Sequence, residues 1–196
     1  MEAVVVIMQE TPQCKVHPQA EIFLFEHKRK ASRFFRDVIG LCEVDHAAIS
    51  IINNRNEIFF LSFTPSIEYQ LMIFNLWQHD TSFKPEFYTN DQGEYWNKLY
   101  SNEKQHELIK IKQLNTKLQA GISIPRKIQG GYVIYSFAVK SSNPITWQML
   151  YDKQDKLAKM GQYCLNQLFE AIPLHHMLYQ QSVKQSGSHL KLVVNN

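Results

Sequence analysis

Two pairs of strand-like segments, each joined by a short turn, constrain the fold of this chain more than any other feature. The first pair, residues 46–52 and 57–63, flanks the sequence NNRN, and the second, residues 119–125 and 132–140, flanks two adjacent glycines. Asparagine and glycine tolerate the backbone angles of tight turns, so each pair predicts a β-hairpin. Strands joined by so few residues are antiparallel, which excludes a doubly wound parallel sheet.

The sequence EIFFLSF at residues 57–63 is apolar on both faces of its predicted strand. A strand of this kind is covered on both sides, and helical patterns elsewhere in the chain can supply the cover. We expect helices over residues 19–39, 65–77, 94–100 and 103–114 and from about residue 143, with a loop over 78–92. The predicted fold class is α/β in the α+β sense, an antiparallel sheet of about five strands with helices on both faces, similar to PAS/GAF-like sensory folds.

Length and composition indicate one intracellular domain. A chain of 196 residues supports a single core, and we expect an N-terminal arm over residues 1–18, the α/β domain over 19–173 and a tail over 174–196. The 3 cysteines are an odd number and far apart, which argues against a disulfide scaffold. No segment has the features of a signal peptide or of a membrane span, so we expect a cytoplasmic protein.

The sequence lacks the motifs of the common enzyme classes. It contains no phosphate-binding loop, dinucleotide fingerprint, zincin helix or nucleophile elbow, so we expect no enzyme, no cofactor and no metal. The pairs His79-Asp80 and His106-Glu107 lack further ligands at metal-binding spacing. The net charge of +3 gives no signature of a nucleic-acid-binding protein, and the basic run Lys28–Arg36 is interpreted as a solvated helix face.

Four residues suggest a pocket. Gly121 lies inside a predicted strand, where glycine marks the close approach of a ligand or of a packed side chain. Trp77 and Trp96 flank the loop that contains Asp80. Two indoles around a carboxylate suit an apolar pocket with one polar anchor, whereas ordinary core packing is the alternative for each tryptophan.

Two stretches of the chain resemble the autoinducer-binding domain of LuxR-type quorum-sensing regulators. The first, FTPSIEYQLMIFNLWQHDTS (63–82), is similar to the family's strand end, proline, helix and ligand-contacting aspartate. The second, AGISIPRKIQGGYVIYSFAVKSS (120–142), is similar to its glycine-containing hairpin. The resemblance spans roughly residues 20–170, and it implies a signal-sensing domain that takes part in transcription regulation.

The residue pattern and the resemblance together predict a set of ligand-binding residues for a small apolar or acyl-type ligand, with Asp80 as the polar anchor. The set consists of Met72, Trp77, Asp80, Trp96 and Gly121. The chain departs from the family where a tryptophan and a tyrosine contact the ligand, since Glu68 or Tyr69 and Met72 stand at those positions. It also has only residues 174–196 where the family carries a helix-turn-helix domain. We therefore expect a stand-alone regulatory domain that acts through a protein partner, with no specific DNA binding.

Two alternative functions stay open at this point. The domain can be a ligand-free protein-interaction module, in which case no hollow is expected near Trp77, Asp80, Trp96 and Gly121. The second alternative is an acyl-transfer enzyme, because RFFRDVIGLCEVD (33–45) faintly resembles the start of acyl-homoserine-lactone synthases. With any of these functions, the chain can form a homodimer.

Overall fold

A six-stranded sheet with helices on both faces forms the centre of the molecule. The computed structural model describes residues 14–174; residues 1–13 of the expected arm and 175–196 of the expected tail lie outside this range. The strands are β1 (Lys15–Val16), β2 (His46–Asn53), β3 (Glu57–Ser62), β4 (Glu94–Tyr95), β5 (Ala120–Ile128) and β6 (Gly131–Val139). The helices are α1 (Ala20–Glu26), α2 (Lys28–Arg36), α3 (Pro65–Ile73), α4 (Pro85–Tyr88), α5 (Trp96–Leu99), α6 (Gln105–Lys112), α7 (Pro144–Asp152) and α8 (Gln154–Ala171).

The strand order across the sheet is β1-β3-β2-β6-β5-β4. Both predicted hairpins are present as β2–β3 and β5–β6, and the two hairpins join through antiparallel pairing of β2 with β6. The short edge strand β1 is the exception, since it pairs in parallel with β3. The mixed fold class and the mostly antiparallel sheet predicted from the sequence are therefore confirmed.

Two sequence-based assignments of helix were wrong. The helix predicted over residues 19–39 is broken at His27, so that α1 packs against β3 and α3 while α2 packs against α8. The predicted helix over residues 94–100 begins with the strand β4, because Glu94 and Tyr95 pair with Ser123 and Ile122 at the edge of β5. In addition, the expected loop over 78–92 contains the helical turn Thr81–Phe83 and the helix α4.

The two faces of the sheet differ in the size and polarity of their side chains. One face carries large apolar residues such as Ile49, Leu61 and Tyr135, which pack under α2, α7 and α8. The opposite face lies under α1, α3 and α6, and a row of paired small residues crosses it: Ser62, Ala48, Ser136 and Ser123. Small side chains leave space above this row, and the helices place polar residues in that space.

Candidate functional site

Four buried polar residues meet above the row of small side chains. Glu68 comes from α3, Asp80 and Ser82 from the turns after it, and Lys112 from the end of α6. All four are buried, with at most 5% of their surface exposed. We refer to these four residues as the polar centre. Buried charges are uncommon unless they are paired and hydrogen-bonded, so this cluster marks the candidate site.

Asp80 is held in place by three hydrogen bonds. It caps the short helical turn Thr81–Phe83, and its Oδ1 accepts from the backbone N–H of Ser82 at 3.1 Å and from the Ser82 hydroxyl at 2.6 Å. Its Oδ2 accepts from Nζ of Lys112 at 2.8 Å. The carboxylate therefore has a fixed orientation and a buried counter-ion.

Lys112 reaches the polar centre because it lies on the buried side of α6. Leu108 lies about one helical turn before Lys112, and Ile111 is its direct neighbour. All three side chains are buried. Its ammonium lies 4.2 Å from the centre of the Trp96 ring and 5.2 Å from that of Tyr100. Both distances are within the range of cation–π attraction, which adds to the ion pair with Asp80.

Glu68 is the least satisfied member of the polar centre. Its Oε2 and the hydroxyl of Tyr100 are buried without a hydrogen-bond partner among the described residues. Burial raises the pKa of Glu68 to about 7, and the Ser62 hydroxyl and the charge of Lys112 offset only part of this effect. Unsatisfied buried polar atoms are rare in proteins, and strongly shifted pKa values are frequent at functional sites.

Trp96 covers the glycine that the sequence singled out. The indole ring lies directly on the backbone of Gly121, where a Cβ atom would overlap the ring. The indole Nε1–H donates to the Ser123 hydroxyl at 3.1 Å, and this hydroxyl also lies 3.1 Å from that of Ser136. Of the two explanations for Gly121, the close approach of a packed side chain therefore accounts for its contacts.

The five expected ligand-binding residues lie on the same side of the sheet but not around one hollow. Asp80 and Trp96 line a common cavity. Gly121 lies behind the Trp96 ring. Trp77 is buried and Met72 half-buried in the neighbouring apolar layer, and neither lines this cavity.

The cavity at the polar centre has a volume of about 20 Å³. This is enough for a single water molecule and far below the roughly 300 Å³ of a typical ligand pocket. Its walls combine the polar centre with the apolar side chains Phe60, Ile67, Leu71 and Phe83. Larger spaces of about 470 and 560 Å³ are open clefts at the surface, beside Tyr95 and Trp147 and beside Phe74 and Ile111 respectively.

The positive charge of Lys112 also acts on His46. This histidine is fully buried at the start of β2, and its Nδ1 lies 3.2 Å from the Thr64 hydroxyl. Burial, together with the charge of Lys112, lowers the pKa of His46 to about 3. The ring is therefore neutral at physiological pH, and Lys112 is the positive charge at this site.

Sequence reasoning missed Lys112 and did not assign Glu68 to a buried cluster. Both carried a signal. Lys112 follows Leu108 by four residues and Glu68 precedes Leu71 by three, which places a charged side chain on the apolar stripe of each helix.

The described residues 14–174 contain no group of three or more histidine, cysteine, aspartate or glutamate side chains that could hold a metal ion. His79 instead lies 3.2 Å from the Ser101 hydroxyl and 3.8 Å from the Glu103 carboxylate. Within the same range, no helix is long and apolar enough to cross a membrane. Most side chains of the basic run on α2 are exposed, in line with a solvated face.

Comparisons with known proteins connect this fold to a group of bacterial regulators. The sequence matches no protein-family profile and no curated protein. Among solved structures, SdiA of Escherichia coli aligns over 76% of this chain and 66% of its own, with 13% identity and a TM-score of 0.49. SdiA in complex with octanoyl-rac-glycerol aligns over 79% of this chain and 61% of its own, with 19% identity and a TM-score of 0.49. This chain thus spans less than two thirds of the SdiA chains.

For a third structure, the alignment with this chain covers nearly its whole length. CepR2 of Burkholderia cenocepacia, an N-acylhomoserine-lactone-dependent transcription factor of the LuxR family, aligns over 76% of this chain and 96% of its own, with 11% identity and a TM-score of 0.53. An identity this low carries information on the fold alone. The resemblance found in the sequence is confirmed at that level: this chain has the fold of the LuxR-type autoinducer-binding domains.

Proposed function

We propose that this domain is a ligand-responsive regulatory domain whose signal-binding site is the polar centre between the sheet and helices α3 and α6. The observation that carries the proposal is the buried, incompletely satisfied cluster of Glu68, Asp80 and Lys112. Its function is binding rather than catalysis, and the fold shared with CepR2 supports this assignment.

The energetics of the polar centre support a ligand. Replacing a buried ion pair by apolar side chains of similar volume is often neutral or stabilises a protein by about 1–4 kcal/mol. A buried polar atom without a partner costs a further ~1–3 kcal/mol. A domain that served only as a scaffold is expected to be at least as stable with apolar residues at Asp80 and Lys112, so the presence of the pair favours a binding role.

The buried polar atoms that lack a hydrogen-bond partner define the ligand class. Glu68 Oε2 lacks a partner, and so does the hydroxyl of Tyr100, which is able to donate a hydrogen bond. The cavity of about 20 Å³ admits only a small group unless neighbouring side chains move. The ligand that fits best is a small polar molecule with a hydrogen-bonding group for Glu68, which lines the cavity, whereas Tyr100 does not.

Transmission to a protein partner is the second part of the proposal. Helices α3 and α6 carry Glu68 and Lys112 on their inner sides. Next to the same helices, Phe74 and Ile111 line the open cleft of about 560 Å³, and Phe74 is 60% exposed. A ligand that shifts the two helices at the polar centre would also change the shape of this cleft, where a partner would detect the change.

Thermal denaturation against a panel of small polar metabolites, acyl lactones and acyl glycerols tests the proposal. At least one small polar compound is expected to raise the unfolding midpoint of the natural chain, because binding to the folded state stabilises it. Glu68→Gln is the control variant, since it keeps the shape of the side chain but loses the carboxylate. An unchanged midpoint across the panel, or an equal response of the control, would contradict the proposed site.

The ligand-free interaction module is the second candidate function. The small volume of the cavity and the Lys112–Asp80 ion pair in its wall favour this alternative. It predicts that Asp80→Leu/Lys112→Met, which replaces the pair with apolar side chains, keeps every interaction of the natural chain with other proteins. The proposed function predicts that this variant loses its response to the ligand.

A further inference from the structure

Lys112 lies in the middle of the proposed ligand site. Its ammonium is 2.8 Å from Asp80 Oδ2 and 4.2 Å from the centre of the Trp96 ring. The side chain crosses a region whose floor is made of small residues and whose walls include Phe60, Ile67 and Leu71. It therefore fills space that is lined partly by apolar groups and ends at a fixed hydrogen-bond acceptor.

The position that the ammonium occupies is one that a ligand's donor group would need. Asp80 supplies an acceptor whose other oxygen is already fixed by Ser82, and Trp96 supplies a ring face above it. A ligand with an amide N–H or a hydroxyl at its head would bind the same acceptor. The lysine has an advantage over a free ligand at this position, because it is attached to α6 and loses no translational entropy when it binds Asp80.

Displacing Lys112 is costly for a neutral ligand. Moving the ammonium away from Asp80 separates a buried ion pair, and a neutral head group does not replace the lost charge. With the lysine in place, the remaining volume of about 20 Å³ has no room for an acyl chain.

We propose that Lys112 determines the ligand specificity of this domain: its side chain occupies the donor position at Asp80 and Trp96, so the natural chain rejects short neutral acyl amides. Removal of the side chain opens a space of their size. The inference rests on the proposed function, since it concerns the same site, and it adds the residue that selects the ligand class.

Two matched double variants test this role. Lys112→Ala/Asp80→Asn removes the lysine side chain and leaves an uncharged amide that still accepts a hydrogen bond. Lys112→Met/Asp80→Asn makes the same charge change but keeps a long side chain in the cavity. Lys110→Ala is the control for loss of a lysine on the same helix, because Lys110 is exposed. The probes are acetamide and butyramide, two short acyl amides whose size matches the space that the lysine side chain leaves.

With either probe at saturation, the midpoint of the natural chain and of Lys110→Ala should stay within about 1 °C of the ligand-free value. The midpoint of Lys112→Ala/Asp80→Asn should rise by ~5 °C or more, as expected for a ligand present far above its dissociation constant. The methionine variant should not respond. The proposal is overturned if the natural chain responds as strongly as the alanine variant, if the folded alanine variant does not respond, or if the methionine variant responds equally.

The results separate this inference from the proposed function. A natural chain that ignores the polar panel, beside an alanine variant that binds acyl probes, contradicts the proposed function and supports the role of Lys112. If the natural chain responds to a polar compound and the alanine variant responds to neither probe, the proposed function is supported and the role of Lys112 is contradicted.

Discussion

The two faces of the central sheet are covered by side chains of different size and polarity. On one face, Leu150, Leu157, Leu165 and Leu168 of α7 and α8 are fully buried against large apolar residues of the strands. On the other face, small strand residues leave space that Lys112 and the rest of the polar centre occupy. Apolar packing supplies stability without specific chemistry. The polar face gives up part of that stability, and the proposed function assigns this face to recognition.

The largest effect is expected from breaking the ion pair on the polar face. Lys112→Met leaves the Asp80 carboxylate buried without a counter-ion and should cost about 3–5 kcal/mol in the free energy of unfolding. Asp80→Leu/Lys112→Met should recover most of this loss, because no unpaired charge remains. Urea denaturation of both variants measures the difference. If the single variant were as stable as the natural chain, the pair would not be buried as described.

A cavity on the apolar face should cost nearly as much but leave recognition unchanged. Leu165 is fully buried on α8, and Leu165→Ala should lower the free energy of unfolding by about 2–5 kcal/mol. The shift in midpoint caused by a bound ligand should be the same as in the natural chain. If this variant lost its response to the ligand at a temperature where it is folded, the claim that only the polar face takes part in recognition would be contradicted.

The dependence of stability on pH provides a third test. The pKa of Glu68 is raised from an ordinary 4.5 to about 7, so the folded chain holds the proton more tightly than the unfolded chain. This group therefore makes the domain less stable as pH rises from about 4.5 to 7, by about 3 kcal/mol in total. His46 acts in the opposite sense, since its pKa is lowered to about 3 and its stability contribution is lost as pH falls from about 6.5 to 3.

Glu68→Gln isolates the contribution of the acid, because His46 and Lys112 are unchanged in both proteins. The difference in stability between variant and natural chain should grow in favour of the variant between pH 4.5 and 7. Urea titrations at a series of pH values measure it. Parallel curves for the two proteins would show that Glu68 is not a buried acid.

Two glycines, one on each face, allow a direct comparison of the faces. Their substitution by alanine is expected to change stability least among these variants. A Cβ atom at Gly121 would overlap the Trp96 ring, and one at Gly161 on α8 would overlap the Tyr135 ring. Overpacking of this kind typically costs about 1–3 kcal/mol. For Gly161→Ala, a gain in helix propensity of ~1 kcal/mol offsets part of the cost.

Only Gly121→Ala should also disturb the site, because Trp96 contacts Lys112. The measurement is ligand-dependent stabilisation of each variant, alongside its midpoint without ligand. Equal ligand responses in the two alanine variants would argue that Trp96 does not take part in binding.

The sheet was predictable from the sequence because its signals are local. NNRN and the Gly-Gly pair define the turns, and EIFFLSF showed that both faces are covered. The break at His27 was not predictable, since no glycine or proline marks it and the two helices separate to pack on different partners. Strand β4 was missed because two residues are too few to show an alternating pattern.

The site was predictable only in part, for a different reason. Asp80, Trp96 and Gly121 stand out as residue types, and they do lie close to Lys112 or to one another. Lys112 itself sits at the C-terminal end of a helix, where a solvated lysine is expected for its favourable interaction with the helix dipole. Its burial depends on the small residues of a distant part of the chain, Ser136 among them, and no local pattern contains that information.

Native mass spectrometry of the freshly purified natural chain tests the central claim most directly, with Asp80→Leu/Lys112→Met as the matched control. If the polar face exists for recognition, the natural chain should carry a small polar molecule that the control lacks. The account is contradicted if the natural chain has only its own mass, or if both proteins carry the same bound molecule.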